Sequence, residues 1–192
     1  MTDVYARRLD VLNRGLSGYN TDWGLRVLKQ ACYFCRATIL FDSSKCLTEK
    51  KNQHTPKIRV ITIWFGANDA CLRPSPQHVS LDAFVGNLRQ MISAIRAADI
   101  SRETRIILLT PPPVNTYQRG AALAARDPPQ ACDREFLVTK QYAEAVLAVA
   151  AAEHVSVVDI WSAMYEAAGG DEQKLSEYLV DGLHPNEAGY YV

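Results

Sequence analysis

The stretch Ile58-Arg59-Val60-Ile61-Thr62-Ile63-Trp64-Phe65-Gly66-Ala67-Asn68-Asp69 constrains the fold of this chain more than any other. β-Branched residues crowd Ile58 to Ile63 and two aromatics follow, a composition that suits a strand covered on both faces. Gly66 then lets the backbone turn sharply, which leaves Asn68 and Asp69 at the carboxyl end of a strand. In open α/β sheets ligands bind at that edge, so the Asn68 amide is a candidate for contacting a substrate oxygen. A capping turn, with Asn68 or Asp69 starting the next helix, accounts for the same residues.

Other segments alternate around this strand. Met1 to Arg8 reads as the end of a helix leading into a short strand, Leu9 to Asn13, and the turn of Gly15 and Gly18. A helix is predicted from Asp22 to about Gln30, with Trp23, Leu25, Val27 and Leu28 on its apolar side. Phe84, Leu88, Met91, Ile92 and Ile95 recur at intervals of three and four, which predicts a second helix capped by Ser80 or Asp82. Arg105 to Thr110 is a further buried strand, stopped by Pro111, Pro112 and Pro113. Arg119 to Asp133 reads as a loop or short helix. Glu135 to Ala152 is a long helix, Val155 to Ile160 a strand, and a last helix starts at Ser162 and ends at Gly169-Gly170. Strands alternating with helices imply an α/β fold with a parallel sheet.

Composition narrows the function. The 192 residues suffice for one domain, and 48% hydrophobic content for a core. Lysine plus arginine number 21, as do aspartate plus glutamate, so the net charge is zero and nucleic acid is excluded as a partner. A small uncharged substrate suits that balance. No run of about 18 apolar residues predicts a membrane helix, and the residues after Met1 are polar, which points to a cytoplasmic address. Five cysteines at irregular positions do not make a disulfide framework. Cys32, Cys35, Cys46 and His54 can be drawn as a zinc site, but their spacing matches no standard finger, so no metal or cofactor is assigned.

Two further stretches bear on chemistry: Arg14-Gly15-Leu16-Ser17-Gly18-Tyr19-Asn20-Thr21 and Asp181-Gly182-Leu183-His184-Pro185. With Trp64-Phe65-Gly66-Ala67-Asn68-Asp69-Ala70 they resemble the SGNH (GDSL-type) hydrolases, and within them the isoamyl acetate-hydrolysing esterase branch. That family carries a Gly-Asp-Ser block with the nucleophile, a glycine block, a Gly-x-Asn-Asp block and an Asp-x-x-His block, in that order. Gly18 matches the second, Gly66 to Asp69 the third, and Asp181 with His184 the fourth. No Gly-Asp-Ser occurs before Leu9. The resemblance implies a three-layer, flavodoxin-like SGNH hydrolase fold of strand order 2-1-3-4-5 whose first strand is missing. It also implies one domain over residues 1–192, shortened at both ends.

What the resemblance implies chemically is ester hydrolysis of small acetate or other short-chain esters. The three-residue spacing lets the Asp181 carboxylate reach one ring nitrogen of His184 while the other faces the mouth, a general base with its orienter. The Gly18 N–H and the Asn68 amide would stabilise the oxyanion. No nucleophile is assigned. Ser17 lacks the last glycine of a Gly-x-Ser-x-Gly elbow and belongs to the oxyanion turn. Phe41-Asp42-Ser43-Ser44 lacks a glycine and follows the second block instead of preceding it. His54, His78 and His154 match nothing and read as exposed residues. The second reading is a non-catalytic remnant of the fold, a pseudoenzyme that binds a ligand or partner. Oligomeric state leaves no mark on this sequence.

Overall fold

The computed structural model describes residues 10–33, 58–98 and 103–192. Helix α1 (Thr21–Tyr33) leads to strand β1 (Val60–Trp64), followed by α2 (Leu81–Ala97), β2 (Arg105–Leu109), α3 (Thr116–Ala124), α4 (Phe136–Glu153), β3 (Ser156–Val158) and α5 (Ile160–Ala167). Two 3-10 turns, Gln173–Glu177 and Ala188–Tyr190, flank the final loop. The three strands pair in parallel in the order β1-β2-β3, Ile63 facing Leu108 and Leu108 facing Val157. Parallel neighbours need a crossover, and α2 supplies the first while α3 and α4 supply the second.

The predicted heptad-like stripe of α2 is the centre of the core: Phe84, Leu88, Met91, Ile92 and Ile95 are all buried. They meet Tyr142, Val146, Val149 and Ala150 of α4 over Ile63, Ile106 and Leu108 of the sheet. Burying each such side chain contributes roughly 1.5 to 3 kcal/mol, so this seam supplies much of the stability. Tyr142 enters it with its hydroxyl donating to the Val79 carbonyl, and its pKa is pushed up to about 12 by burial. A smaller cluster of Met164, Ala168, Leu175 and Leu179 joins α5 to the final loop.

Three expectations are corrected here. The strand at Leu9 to Asn13 does not form over its described residues, Asp10 to Asn13. Asn13 instead accepts the Gly15 N–H at 2.9 Å, a local turn that competes with a ladder, and Leu12 lies exposed. Leu9 lies outside the described residues, as do Cys35, Ser43, Ser44, Cys46 and His54, together with the Cys32 side chain. The central strand is less covered than expected, one of its faces being largely exposed over the described residues. Ile61 and Ile63 point to the core, whereas Val60, Thr62 and Trp64 are exposed, and Ile107 and Leu109 beside them are half-buried. Among the described residues no strand pairs with the outer edge of β1. Finally, Val27 of α1 is exposed, so the apolar side of that helix narrows to Leu25 with half-buried Trp23 and Leu28.

Candidate active site

The loop after β1 is built around Gly66 and Asp69. Gly66 has φ +115°, and a Cβ there would lie 2.9 Å from the Pro111 ring, so both conformation and space demand glycine. Asp69 is fully buried. Its carboxylate accepts the Gly66 N–H at 3.1 Å, the Thr21 N–H at 2.8 Å and the Thr21 hydroxyl. Burial pushes its carboxyl pKa up, against the pull of those donors. Asp69 is therefore a clamp between the β1 loop and the first turn of α1, where a carboxylate also meets the positive end of the helix dipole.

That clamp brings the glycine turn beside Asn68. Gly18 has φ +76° in the turn that Tyr19 N–H closes onto the Leu16 carbonyl. Asn68 Nδ2 donates to the Tyr19 carbonyl at 2.9 Å, and Gln77 Nε2 donates to the Gly18 carbonyl at 2.8 Å. Asn20 Nδ2 closes the arrangement on the Gln77 carbonyl at 2.9 Å. Gly18 and Asn68, far apart in sequence, are thus neighbours. Ser17 is exposed in the same turn.

The last loop folds as the Asp-x-x-His spacing requires. Asp181 Oδ1 accepts the backbone N–H of His184 at 2.9 Å and of Leu183 at 3.1 Å, and His184 Nδ1 lies 3.0 and 3.1 Å from the two carboxylate oxygens. Burial works to raise the Asp181 pKa, but these donors outweigh it and hold the carboxyl below its usual range. An ionised carboxylate only accepts, so Nδ1 carries the proton and the lone pair is on Nε2. The His184 side chain is 70% exposed, with that nitrogen free to face a ligand. Gly182 makes the turn possible. At φ +81°, any Cβ would fall 2.4 Å from the Arg119 backbone nitrogen and 2.6 Å from the Asn115 carbonyl oxygen.

This close approach seats the loop on the start of α3. Asn115 caps α3 by accepting the Gln118 N–H, while its own N–H donates to the Gly182 carbonyl. Gln118 Nε2 donates to the carbonyls of Leu179 and Val180. Arg119, one turn along, is buried and reaches in two directions. Its Nη1 donates to Asp181 Oδ2 at 2.6 Å, and its Nε and Nη2 form a fork on Asp133 at 2.8 and 3.0 Å. Asp133 also meets Arg134 Nη1 at 2.8 Å. Burial opposes the Asp133 charge, yet the Arg119 hydrogen bonds and the two guanidinium charges lower its pKa. Arg134, 2% exposed, spends its Nε on the Ala67 carbonyl at 2.7 Å and its Nη2 on Asn68 Oδ1 at 3.1 Å. His184, Asp181, Arg119, Asp133, Arg134 and Asn68 therefore form one continuous chain of polar contacts.

Half of that chain is invisible to a reading by motif. Arg119 and Asp133 bound the segment read above as a loop or short helix, where the structure places α3, and Arg134 stands just ahead of α4, where an Asp-Arg pair reads as solvated charge. His78 also departs from expectation: it is half-buried, its Nδ1 2.7 Å from the Cys71 carbonyl, because the 71–79 loop folds back under the Gly18 turn. His154 is exposed, as expected, in the left-handed conformation that ends α4. Among the described residues no group of three or more His, Cys, Asp or Glu side chains could hold a metal ion, and no helix is long and apolar enough to cross a membrane.

Comparison with known proteins identifies the family. The GDSL-like Lipase/Acylhydrolase family model matches residues 1–192. A cattle (Bos taurus) protein named isoamyl acetate-hydrolyzing esterase 1 homolog is 37% identical over 193 residues, covering 98% of this chain and 67% of its own length. A GDSL esterase/lipase of Arabidopsis thaliana is 34% identical over 98% of this chain and 71% of its own. Among solved structures, a lipase/acylhydrolase from Enterococcus faecalis superposes with a TM-score of 0.63 at 27% identity, over 98% of this chain and 75% of that one. The chain thus spans about two thirds of the length of these curated relatives. With a family model matched over residues 1–192, relatives 34 to 37% identical over nearly its whole length and an α/β fold, the chain belongs to the GDSL-like lipase/acylhydrolase family.

Proposed function

We propose that this protein carries the acid-base and oxyanion parts of a serine esterase acting on small acetate or other short-chain esters. The observation that carries the reading is the Asp181–His184 pair, with Nδ1 committed to the carboxylate and Nε2 exposed. In this scheme a serine hydroxyl from a Gly-Asp-Ser block gives its proton to His184 Nε2 as its oxygen attacks the ester carbonyl. The imidazolium then returns that proton to the departing alkoxide, and a water repeats the sequence on the acyl-enzyme. Asp181 stabilises the charged ring without taking its proton. The Gly18 N–H and the second Nδ2 hydrogen of Asn68 receive the oxyanion, which exists only after attack.

The 192 residues contain no Gly-Asp-Ser, so the chain alone is expected to hydrolyse p-nitrophenyl acetate no faster than its His184→Ala variant. A burst of p-nitrophenol, with a serine-trapping phosphonate attached to Ser17 or Ser43, would sink that reading and the assignment of roles with it. Preceded by the Gly-Asp-Ser segment of an esterase relative, the chain should gain activity that His184→Ala removes almost completely. In that extended protein Asn68→Ala should lower kcat by about 100 to 1000-fold with little change in KM. Equal kcat in Asn68→Ala and its parent would refute the oxyanion assignment. An extended protein that binds short-chain esters yet turns none over would favour a non-catalytic binding protein on the same fold.

A further inference from the structure

We infer that Arg134 is a positioning residue that sets which way the Asn68 carboxamide faces, and that Arg119 and Asp133 tie this setting to the Asp181–His184 pair. The inference rests on the reading of Asn68 as an oxyanion donor, and it begins from a property of the amide itself. A carboxamide presents an acceptor on one side and donors on the other, with nearly the same shape either way round. An oxyanion donor is useful in one of those two settings only. In the other, a carbonyl oxygen would meet the developing negative charge.

Donor and acceptor logic fixes the setting from both sides. The guanidinium of Arg134 has five N–H donors and no acceptor, and the Tyr19 carbonyl has no donor. Asn68 Oδ1 lies on the Arg134 side at 3.1 Å and Nδ2 on the Tyr19 side at 2.9 Å. Turning the amide over would set Nδ2–H against an N–H and Oδ1 against a carbonyl oxygen, losing both bonds at once. The Tyr19 contact uses one Nδ2 hydrogen and leaves the other for a ligand.

Arg134 is itself held without freedom. Its Nε is fixed on the Ala67 carbonyl, its Nη1 on the Cys71 sulfur, the Asp133 carbonyl and the Asp133 carboxylate, and its Nη2 on Asn68 and, more weakly, on Gln77 Oε1 at 3.4 Å. Every N–H direction of a side chain 2% exposed is thereby occupied. The charge is answered by Asp133, whose carboxylate is shared with Arg119, and Arg119 passes to Asp181. Two cations and two carboxylates alternate between the amide and the imidazole. A lysine at 134 would keep the charge but not the flat fork that spans Ala67 and Asn68.

The test is made by NMR on the 192-residue chain, with the Asn68 carboxamide signals assigned by their loss in Asn68→Ala. In the parent the Nδ2 proton on the Tyr19 carbonyl should be protected from exchange with water. In Arg134→Met that proton should exchange about tenfold faster, the loss of one bond to a charged donor. Arg134→Lys should restore part of the protection. Methyl signals of Met91 and Ile92, in the core, report whether the fold persists. If Arg134→Met does not fold, Arg134→Lys carries the test alone, because one ammonium cannot hold both acceptors and the Asn68 signals must still move. Unchanged Asn68 exchange in a folded Arg134 variant would overturn the inference while leaving the oxyanion assignment standing. Conversely, unchanged kcat in Asn68→Ala of the extended protein would remove the oxyanion role while leaving the positioning by Arg134 intact.

Discussion

Single residues decide this site through space as much as through chemistry. Gly182 is the plainest case, because a side chain there would enter the backbone of α3 and adopt a left-handed φ as well. Replacing it with alanine is expected to cost at least about 2 kcal/mol in chemical unfolding, from the strained φ and the displaced loop. The same change should pull Asp181 from Arg119, since the two are held together by the seating of this turn. Equal denaturation midpoints for Gly182→Ala and the parent would show that the loop does not need that approach. His184 is legible from its neighbours in sequence. Gly182 is legible only as a glycine in a turn, and the reason it must be one lies in a helix more than sixty positions earlier.

At the scale of elements, α1 and the β1 loop are joined by a carboxylate with no room for an amide. Both oxygens of Asp69 accept, Oδ1 from Thr21 and Oδ2 from the Gly66 N–H. Asp69→Asn would turn one of them into a donor facing an N–H, and is expected to destabilise the fold by about 1 to 3 kcal/mol. The pH trend of this group runs opposite to the usual one for a carboxylate. Burial raises its pKa in the folded state, so ionising it costs stability that the three donors offset only in part: that cost is absent below the unfolded value of 3.8 and is fully present once pH has risen through the folded pKa. Thermal unfolding of Asp69→Asn and the parent should therefore differ in slope across the acid range, and parallel curves would contradict the assignment. Helices α2 and α4 were legible in advance from periodicity, because burial of one face repeats with the turn of the helix, whereas the strand register around Leu108 came only from the structure. Helix α3 was legible only as one of two alternatives, a loop or short helix from Arg119, and it starts three residues earlier at Thr116.

Across the whole molecule the network from His184 to Asn68 links α3, the approach to α4, the β1 loop and the final loop. Asp133 is its hinge charge, shared by two buried guanidiniums. Asp133→Asn is expected to cost about 2 to 4 kcal/mol near neutral pH, because it leaves two buried cations with one carboxylate. Here the pKa is lowered on folding, so the stabilisation is present above the unfolded value of 3.8 and is lost as pH falls through the folded pKa. The gap in Tm between variant and parent should accordingly shrink on acidification, as protonation does to the parent what the amide has done to the variant. A gap that holds constant from neutral pH into the acid range would mean that Asp133 is not ionised in the folded protein. The exposed side of Val60, Thr62 and Trp64 belongs to this scale as well, for a run of β-branched and aromatic residues reads as a strand covered on both sides, and only the packing of the described residues shows how far that cover extends.

The sequence by itself determined the alternation of strands and helices, the Asp181–His184 pair and the placement of Asn68 at a strand end. Each of these depends on residues close along the chain, whether through side-chain periodicity, a three-residue spacing or a glycine that stops a strand. Tertiary structure decided the rest. It replaced the expected strand before Asn13 with a turn, set Gly18 against Asn68 through the Asp69 clamp, and built the Arg119–Asp133–Arg134 bridge. Those outcomes depend on which charges and carbonyls packing brings within about 3 Å, a distance scale on which a hydrogen bond forms or fails and which no pattern along one chain encodes.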